Sequence, residues 1–410
     1  MTNLPKAISV DDHVVEPPHV WQERLPARLR DRGPRVERAR WGDFTLDGPG
    51  ATYSGQMSDE GRWGDYWRYE DRVIYVHKRH VAIPLDATPD GDVRRFDRSK
   101  MFMAALTYDD MRPGCYEPKA RVEDLELAGV DGSLAFPTFP RFCGQTFMEG
   151  KDRTLGLACV RAYNDWMVEE WCGDSDGHLI PLCLIPLWDV QLATAEVTRN
   201  AGRGARAVCF SEIPSHLGLP SIHTGDWDPF FAACEDTGTT LCMHIGSSSK
   251  MPAASPDAPP STDIMLSFNN SMASLADFLF SGVLVRFPTL KLAYSEGQIG
   301  WLPYILERAD DVWTDHRAWA EVRDIIPEPP SSYYRKHVFG CFFKDRHGLE
   351  SLHRIGVDNV TFETDYPHTD STWPDTKEIA TKMVAGLPDE TVYKIMRGNA
   401  IRMLSLDLDR

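Results

Sequence analysis

Seven side chains in this sequence are of the types that hold and use a divalent metal: Asp11, His13, Glu16, His244, Glu296, Asp365 and His368. The first three fall in ISVDDHVVE, Ile8–Glu16. Ile8–Val10 is apolar and reads as a buried strand that delivers the polar residues to its C-terminal end. Side chains alternate across a strand, so Asp11 and His13 point the same way. A carboxylate and an imidazole so placed make a two-point grip on an ion. Taken alone, the stretch is more simply a polar turn after a strand. The other four residues change that weighting, because each follows an apolar run: His244 in TLCMHIGSSS, Glu296 in LKLAYSEGQIGW, Asp365 and His368 in NVTFETDYPHTD.

Three imidazoles and four carboxylates are more than a single tetrahedral zinc uses. Packed together without a cation, the carboxylates would repel and some would be forced neutral. One or two divalent ions relieve that repulsion, and the carboxylate-rich mixture suits Fe or Mn at least as well as Zn.

Residues so far apart need a scaffold that gathers them, and the periodicity supplies one. Apolar strands are expected at Ile8–Val10, Ser133–Phe136, His178–Leu187, Arg206–Phe210, Thr240–Ile245, Leu290–Ser295, Val338–Phe343 and Val360–Thr364. Helical patterns fall between them: Pro118–Gly129, Asp152–Trp171, Val190–Ala201, Asp226–Thr237 with Asp226 as N-cap, Ser271–Arg286, Gly300–Thr314, Lys344–Ile355 and finally Glu390–Leu404. Eight strands alternating with helices imply parallel pairing and an α/β fold, a (β/α)8 TIM-type barrel. A doubly wound open sheet is the alternative, but no GxGxxG or GxxxxGK phosphate turn is present. In a barrel all strand ends share one mouth, so residues after strands one, five, six and eight would meet there.

The chain reads as one domain, residues 1–410, with an insertion at 17–118 after the first strand. The insertion is rich in Pro, Gly, Arg and Asp, yet Trp21, Trp41, Trp63, Trp67, Tyr66 and Tyr69 argue against disorder. It is expected to hold short helices and a hairpin at FTLDGPGATYSG. It would serve as a lid and substrate wall, or as a partner contact. A net charge of −17 argues against nucleic acid and anionic membrane as partners. Nine Cys without a CxxC read as small buried residues of a reducing compartment. No basic leader and no long apolar run is present, so a cytoplasmic protein is expected.

Asp11-x-His13, His244 and the TDYPH segment around Asp365 resemble the amidohydrolase superfamily. The resemblance is to its amidohydrolase-related branch, which holds aminocarboxymuconate-semialdehyde and resorcylate decarboxylases. The terminal GNAIRML resembles that branch's closing segment. The resemblance implies a distorted (β/α)8 barrel and a metal held by Asp11, His13, His244 and Asp365. Three departures stand out. Ser295-Glu296-Gly297 replaces a His-Gly-Gly type turn, the first motif extends to Glu16, and no Lys ends strand four. The extended set DxHxxE, HIGSS, SEGQIGW and DYPH resembles a smaller group more closely, the amidohydrolase-related dinuclear non-haem oxygenases. By that resemblance Glu16, Glu296 and His368 would help hold a second metal.

Three functions follow. The first is O2-dependent hydroxylation of a small organic acid or amino-acid-like substrate at two Fe or Mn ions, with Glu296 and His368 as the catalytic pair. The second is hydrolysis or non-oxidative decarboxylation of a small carboxylate at one metal such as Zn. The third is a metal-bearing, non-catalytic subunit. A homo-oligomer, or a hetero-oligomer with a related chain, is the expected state. Of the remaining candidates, Ser247–Ser249 lack a GxSxG elbow. His216, His223, Arg112 and Tyr116 are possible substrate contacts, and Trp301 a packing residue.

Overall fold

The computed structural model describes residues 4–46, 53–320, 322 and 324–408. Its largest sheet is built from buried, nearly continuous apolar runs, as parallel strands covered on both faces require. In chain order these are β1 (Ala7–Val14), β2 (Val130–Pro137), β3, β4 (Ala207–Cys209), β5 (Thr240–His244), β6 (Lys291–Ser295), β7 (Val338–Phe342) and β8 (Val360–Phe362). β3 is two short pieces, Leu179–Ile180 and Leu182–Cys183, on either side of Pro181. Every pairing within this sheet is parallel, and neighbours follow the chain order.

The ring closes at two seams. β1 pairs with both β2 and β8. The first half of β3 pairs with Ser133 and Leu134 of β2, and the second half with Ala207 and Val208 of β4. The two ends of the sheet are therefore one interrupted strand, which makes the expected (β/α)8 barrel. Helices stand between successive strands, with Arg153–Trp166 and Val190–Ala201 capped by Asp152 and Asp189 side chains accepting backbone N–H bonds.

Three helix expectations shift, the one over Lys344–Ile355 being two pieces, Arg346–Glu350 and Leu352–Ile355. Asp226 does not cap the next helix, which runs Asp228–Thr237 after Trp227. Pro229 has no N–H at the second position, so one target of such a cap is missing. The helix expected over Ser271–Arg286 is two pieces, Asn269–Phe280 and Val283–Arg286, broken where Gly282 takes φ 75°.

The insertion is an ordered layer. Arg35–Trp41, Arg62–Tyr69 and Arg72–Val76 form an antiparallel sheet with Arg62–Tyr69 in the middle. Thr45–Leu46 pairs with Tyr53–Ser54 where the hairpin was expected, and its turn lies outside the described residues. Trp21 and Trp67 are buried and pack on Phe139, just past β2. On the other side, Thr369, just past β8, donates its N–H and hydroxyl to the His80 carbonyl at 2.9 and 2.6 Å. The insertion thus meets the barrel at the C-terminal rim. All nine cysteines are buried and unpaired, and no described helix is long and apolar enough to cross a membrane.

Candidate metal centre

β1 carries Asp11 and His13 through an irregularity. Its pairing with β2 steps from Ser9↔Ser133 to Asp12↔Ala135, three residues against two, so one extra residue bulges from the edge beside Asp11. Beyond it, His13 Nε2 lies 3.2 Å from His244 Nε2 at the end of β5. It lies 3.3 Å from Asp365 Oδ1 and 3.9 Å from Asp11 Oδ1. His244 Nε2 is 3.5 Å from Asp11 Oδ2 and 3.6 Å from Glu296 Oε2. His368 Nδ1 is 3.0 Å from Asp365 Oδ1 and 3.9 Å from Glu296 Oε1.

Six of the seven expected residues therefore converge. They form two interlocking groups, Asp11–His13–His244 and His13–Glu296–Asp365–His368, each with ligand atoms within 4.8 Å of one another. Glu296 and Asp365 both sit in the left-handed region, at φ 55° and 58°. That conformation is costly for a residue with a Cβ, by roughly 1–3 kcal/mol, and such outliers gather at working sites.

The donor set fits a divalent cation. Among the described residues, neither oxygen of buried Asp11 has a hydrogen-bond donor. Two imidazole Nε2 atoms face each other at 3.2 Å, which two N–H groups could not do. His244 Nδ1 is 2.6 Å from the Ile245 carbonyl, an acceptor, so Nδ1 carries the hydrogen and Nε2 keeps its lone pair for a metal. Phe142 stacks flat on the His244 ring at 4.2 Å and holds its plane.

Burial governs the electrostatics. It lowers His13 well below the usual range and His244 to about 4, so both are neutral, the ligating form. It raises Asp11 well above the carboxylate range, with Glu363, Glu296 and Asp365 adding repulsion. Glu296 is raised by burial, and Asp365 by burial to about 6 against the pull of His368. Burial alone would lower His368, but ion pairing with Asp365 and Glu296 lifts it to about 10. His368 thus carries a proton, and Glu296 stands beside it.

Glu16 does not join the cluster. Its two oxygens accept the backbone N–H groups of Thr138 and Phe139, both at 2.9 Å. β1 ends at Val14, and beyond it the chain turns toward the segment after β2, so strand alternation no longer aims Glu16 at the mouth. Burial brings its carboxyl up to about 7.

Four buried groups were missed. Glu363 accepts from the Glu296 N–H at 3.1 Å, the Gln298 amide at 3.4 Å and the Cys341 thiol, beneath the site. Asp12 ties β1 to its neighbours through Ser9, Ser133, Thr364 and the Tyr366 N–H. Arg121 donates to the His13 and Gly114 carbonyls, both at 2.6 Å, against the Tyr366 ring. Glu212, two residues before Pro214 at the end of β4, accepts from Ser271 at 3.0 Å while its second oxygen finds no donor. Asp12 was legible, since alternation puts it on the opposite face from Asp11; Glu363, Arg121 and Glu212 carried no signal of their own.

The other candidates are structural. Ser247 accepts the Glu212 N–H at 2.9 Å, His223 pairs with Asp277 on the surface, and Arg112 pairs with Asp124. Tyr116 packs edge-on against Tyr108, and His216 is largely exposed. Trp301 donates to the Gly297 carbonyl at 2.7 Å as a packing residue should. A cavity of about 250 Å3 opens at Glu296, lined also by Ile245, Met251, Ile264 and Asp370.

A closed parallel barrel with an imidazole–carboxylate cluster at its strand ends defines a metal-dependent enzyme scaffold of the TIM type. The chain belongs to the amidohydrolase family, whose family model matches residues 65–406. It is 22% identical over 333 residues to the 2-amino-3-carboxymuconate-6-semialdehyde decarboxylase of Dictyostelium discoideum, covering 76% of this chain and 82% of that protein. Its fold matches an amidohydrolase of Mycobacterium avium subsp. paratuberculosis at a TM-score of 0.70 and 22% identity, over 98% of this chain and 99% of that one. A 5-carboxyvanillate decarboxylase of Novosphingobium aromaticivorans, complexed with manganese, matches at 0.55 and 18% identity, over 70% of this chain and 79% of that one. The resemblance to the decarboxylase branch is borne out. Oxygen chemistry, placed first on sequence, gains no support from these relatives, which favour the alternative.

Proposed function

We propose that this chain is a metal-dependent lyase that removes CO2 from a small carboxylate without an oxidant. One observation supports the reading: Asp11, His13 and His244 draw together, Asp365 lies 3.3 Å from His13, and the proton-bearing Glu296–His368 pair stands beside them. A divalent ion held by those four, manganese by analogy with the decarboxylase relative, would supply Lewis-acid polarisation of a substrate oxygen. The chain's own residues do the rest. The Ile245 carbonyl orients His244, and Phe142 keeps its ring in plane. Loss of CO2 leaves an electron pair on carbon, and the Glu296–His368 pair returns a proton there as general acid. The insertion, seated on the rim, walls the substrate off from water.

The test is CO2 release from a panel of carboxylates, including 5-carboxyvanillate, by anaerobic manganese-loaded protein with elemental analysis. Turnover with about one metal per chain, abolished in Glu296→Gln without loss of that metal, supports the reading. A second reading has its own observation, the four-residue group His13–Glu296–Asp365–His368 beside Asp11 and His244. It supports a two-metal centre for O2 chemistry, without Glu16. Two redox metals and oxygen uptake tied to product would replace the first reading with it.

A further inference from the structure

β1 and the loop after β8 both feed the cluster, yet their strands scarcely pair beside it. The ladder between them is the single register Ser9↔Phe362, and β8 ends at Phe362. Past it, two backbone bonds carry the seam. The Asp365 N–H donates to the Asp11 carbonyl at 2.9 Å, and the His13 N–H to the Tyr366 carbonyl at 2.7 Å. The N–H and C=O of one strand residue point the same way, so the His13 carbonyl faces this seam too. The seam has no donor left for it. Pro367 has no N–H, and the His368 N–H is folded back onto the Asp365 carbonyl at 2.9 Å. Two residues on, Val15 already donates to a different neighbour, the Cys115 carbonyl, at 3.0 Å.

Arg121, on the helix Pro118–Ala128, stands at this junction and is wholly buried. Its Nη2 donates to the His13 carbonyl and its Nε to the Gly114 carbonyl, both at 2.6 Å. Its guanidinium carbon lies over the Tyr366 ring, 4.4 Å from the centre, and 5.1 Å from the centre of the Trp171 ring. Arg121, His13 and Tyr366 therefore close a triangle in which each touches the other two. Tyr366 is held elsewhere as well, its N–H on Asp12 at 3.0 Å and its hydroxyl on Asp124 at 2.6 Å.

Packing alone does not call for this residue. Burying a guanidinium on carbonyls is costly, and among the described residues Nη1 finds no acceptor. An apolar side chain would join helix to strand without that cost. What it lacks is a pair of donors at a fixed angle and a flat face, which Arg has and Lys does not.

We propose that Arg121 is a positioning residue of the metal centre. It completes the edge of β1 at His13 and clamps Tyr366, the neighbour of Asp365. His13 from one strand and Asp365 from the loop after another are thereby kept 3.3 Å apart, within reach of one ion. This rests on the metal centre and not on the lyase reading.

The probes are Mn2+ and Co2+ themselves, added to the chelator-treated full chain. Paramagnetic resonance of free Mn2+ gives its affinity, and the visible absorption of bound Co2+ reports ligand geometry. Arg121→Met should weaken Mn2+ binding by about ten- to hundredfold and shift the Co2+ band. Arg121→Lys, which keeps the charge but not the fork, should fail to restore wild-type values in either readout. A packing residue would lower Tm and leave both readouts alone. A Met variant that loses less than about tenfold in Mn2+ affinity, or leaves the Co2+ band unmoved, overturns the proposal. So does a Lys variant equal to the wild type, and that arm decides should Arg121→Met fail to fold. Wild type that holds neither ion removes the centre and this role together. Neither readout uses CO2 release, so failure of the lyase reading leaves the role of Arg121 standing.

Discussion

Replacing Glu212 by Gln should stabilise the protein, and more so as pH rises. Glu212 is 1% exposed, and burial raises its carboxyl from 4.5 to about 8 although Ser271 donates to it. Among the described residues no cation offsets this, and Glu296 adds repulsion. Because the folded value lies above the unfolded one, the folded chain keeps a proton that the unfolded chain has released. The stability this contributes is whole below about pH 4.5 and is lost as pH rises through about 8. At pH 7 the unfolded state has already gained about 3 kcal/mol from ionising this one group, at about 1.4 kcal/mol per unit. Gln is neutral at every pH and keeps the oxygen that accepts from Ser271. Glu212→Gln should match the wild type near pH 4.5 and exceed it by up to about 3 kcal/mol at pH 7. For a chain this long that is a rise of a few degrees in Tm, about 1–2 °C per kcal/mol. Thermal unfolding followed by circular dichroism across this range measures it. A variant no more stable at pH 7 than at pH 4.5, relative to wild type, would refute the reasoning.

Three further outcomes are expected. Manganese at a hundredfold excess over its Kd should stabilise the chelator-treated wild type by about 2.7 kcal/mol, and Asp365→Asn should lose that gain, as scanning calorimetry with and without metal will show. Glu16→Gln should keep full metal content by elemental analysis yet cost about 1–2 kcal/mol in urea unfolding, since its amide nitrogen cannot accept one of the two backbone N–H bonds. His77 is held at about 3 by burial and then by Lys78, so its stabilising effect is whole above about 6.5 and is lost as pH falls towards 3. His77→Phe should flatten that acid limb by about 1.4 kcal/mol per pH unit, and an unchanged slope in urea midpoints would count against it.

The barrel was legible because its strands are buried on both faces and so read as unbroken apolar runs, VFGCF at Val338–Phe342 being one. The insertion was legible only as ordered matter. Its strands at Arg35–Trp41 and Arg62–Tyr69 mix arginine with tryptophan, and Arg38 spans the ladder to pair with Asp65, so no clean alternation marks them. Within the site, three of the residues expected to meet lie inside strands, Asp11 and His13 on β1 and His244 at the end of β5. Past the strand ends aim is harder to read: Glu296, Asp365 and His368 turn into the cluster, whereas Glu16 does not.

Glu16 and Glu363 show why. Both are buried glutamates near motif residues, and neither meets the cluster with its carboxylate. Glu16 satisfies two amides after β2, while Glu363 takes the N–H of Glu296 and the amide of Gln298, two residues at φ 55° in one turn. A turn held in that region by a buried carboxylate below it is the reason Glu296 reaches across to His244 and His368 instead of continuing along β6. The placement of Glu296 beside His368 therefore depends on a carboxylate that lies outside the cluster. Two glutamates in similar sequence surroundings divide into a scaffold for the loop after β2 and a scaffold for the Glu296 turn. That division follows from which backbone N–H groups are left unpaired at the rim, a property of the closed ring and of no single strand.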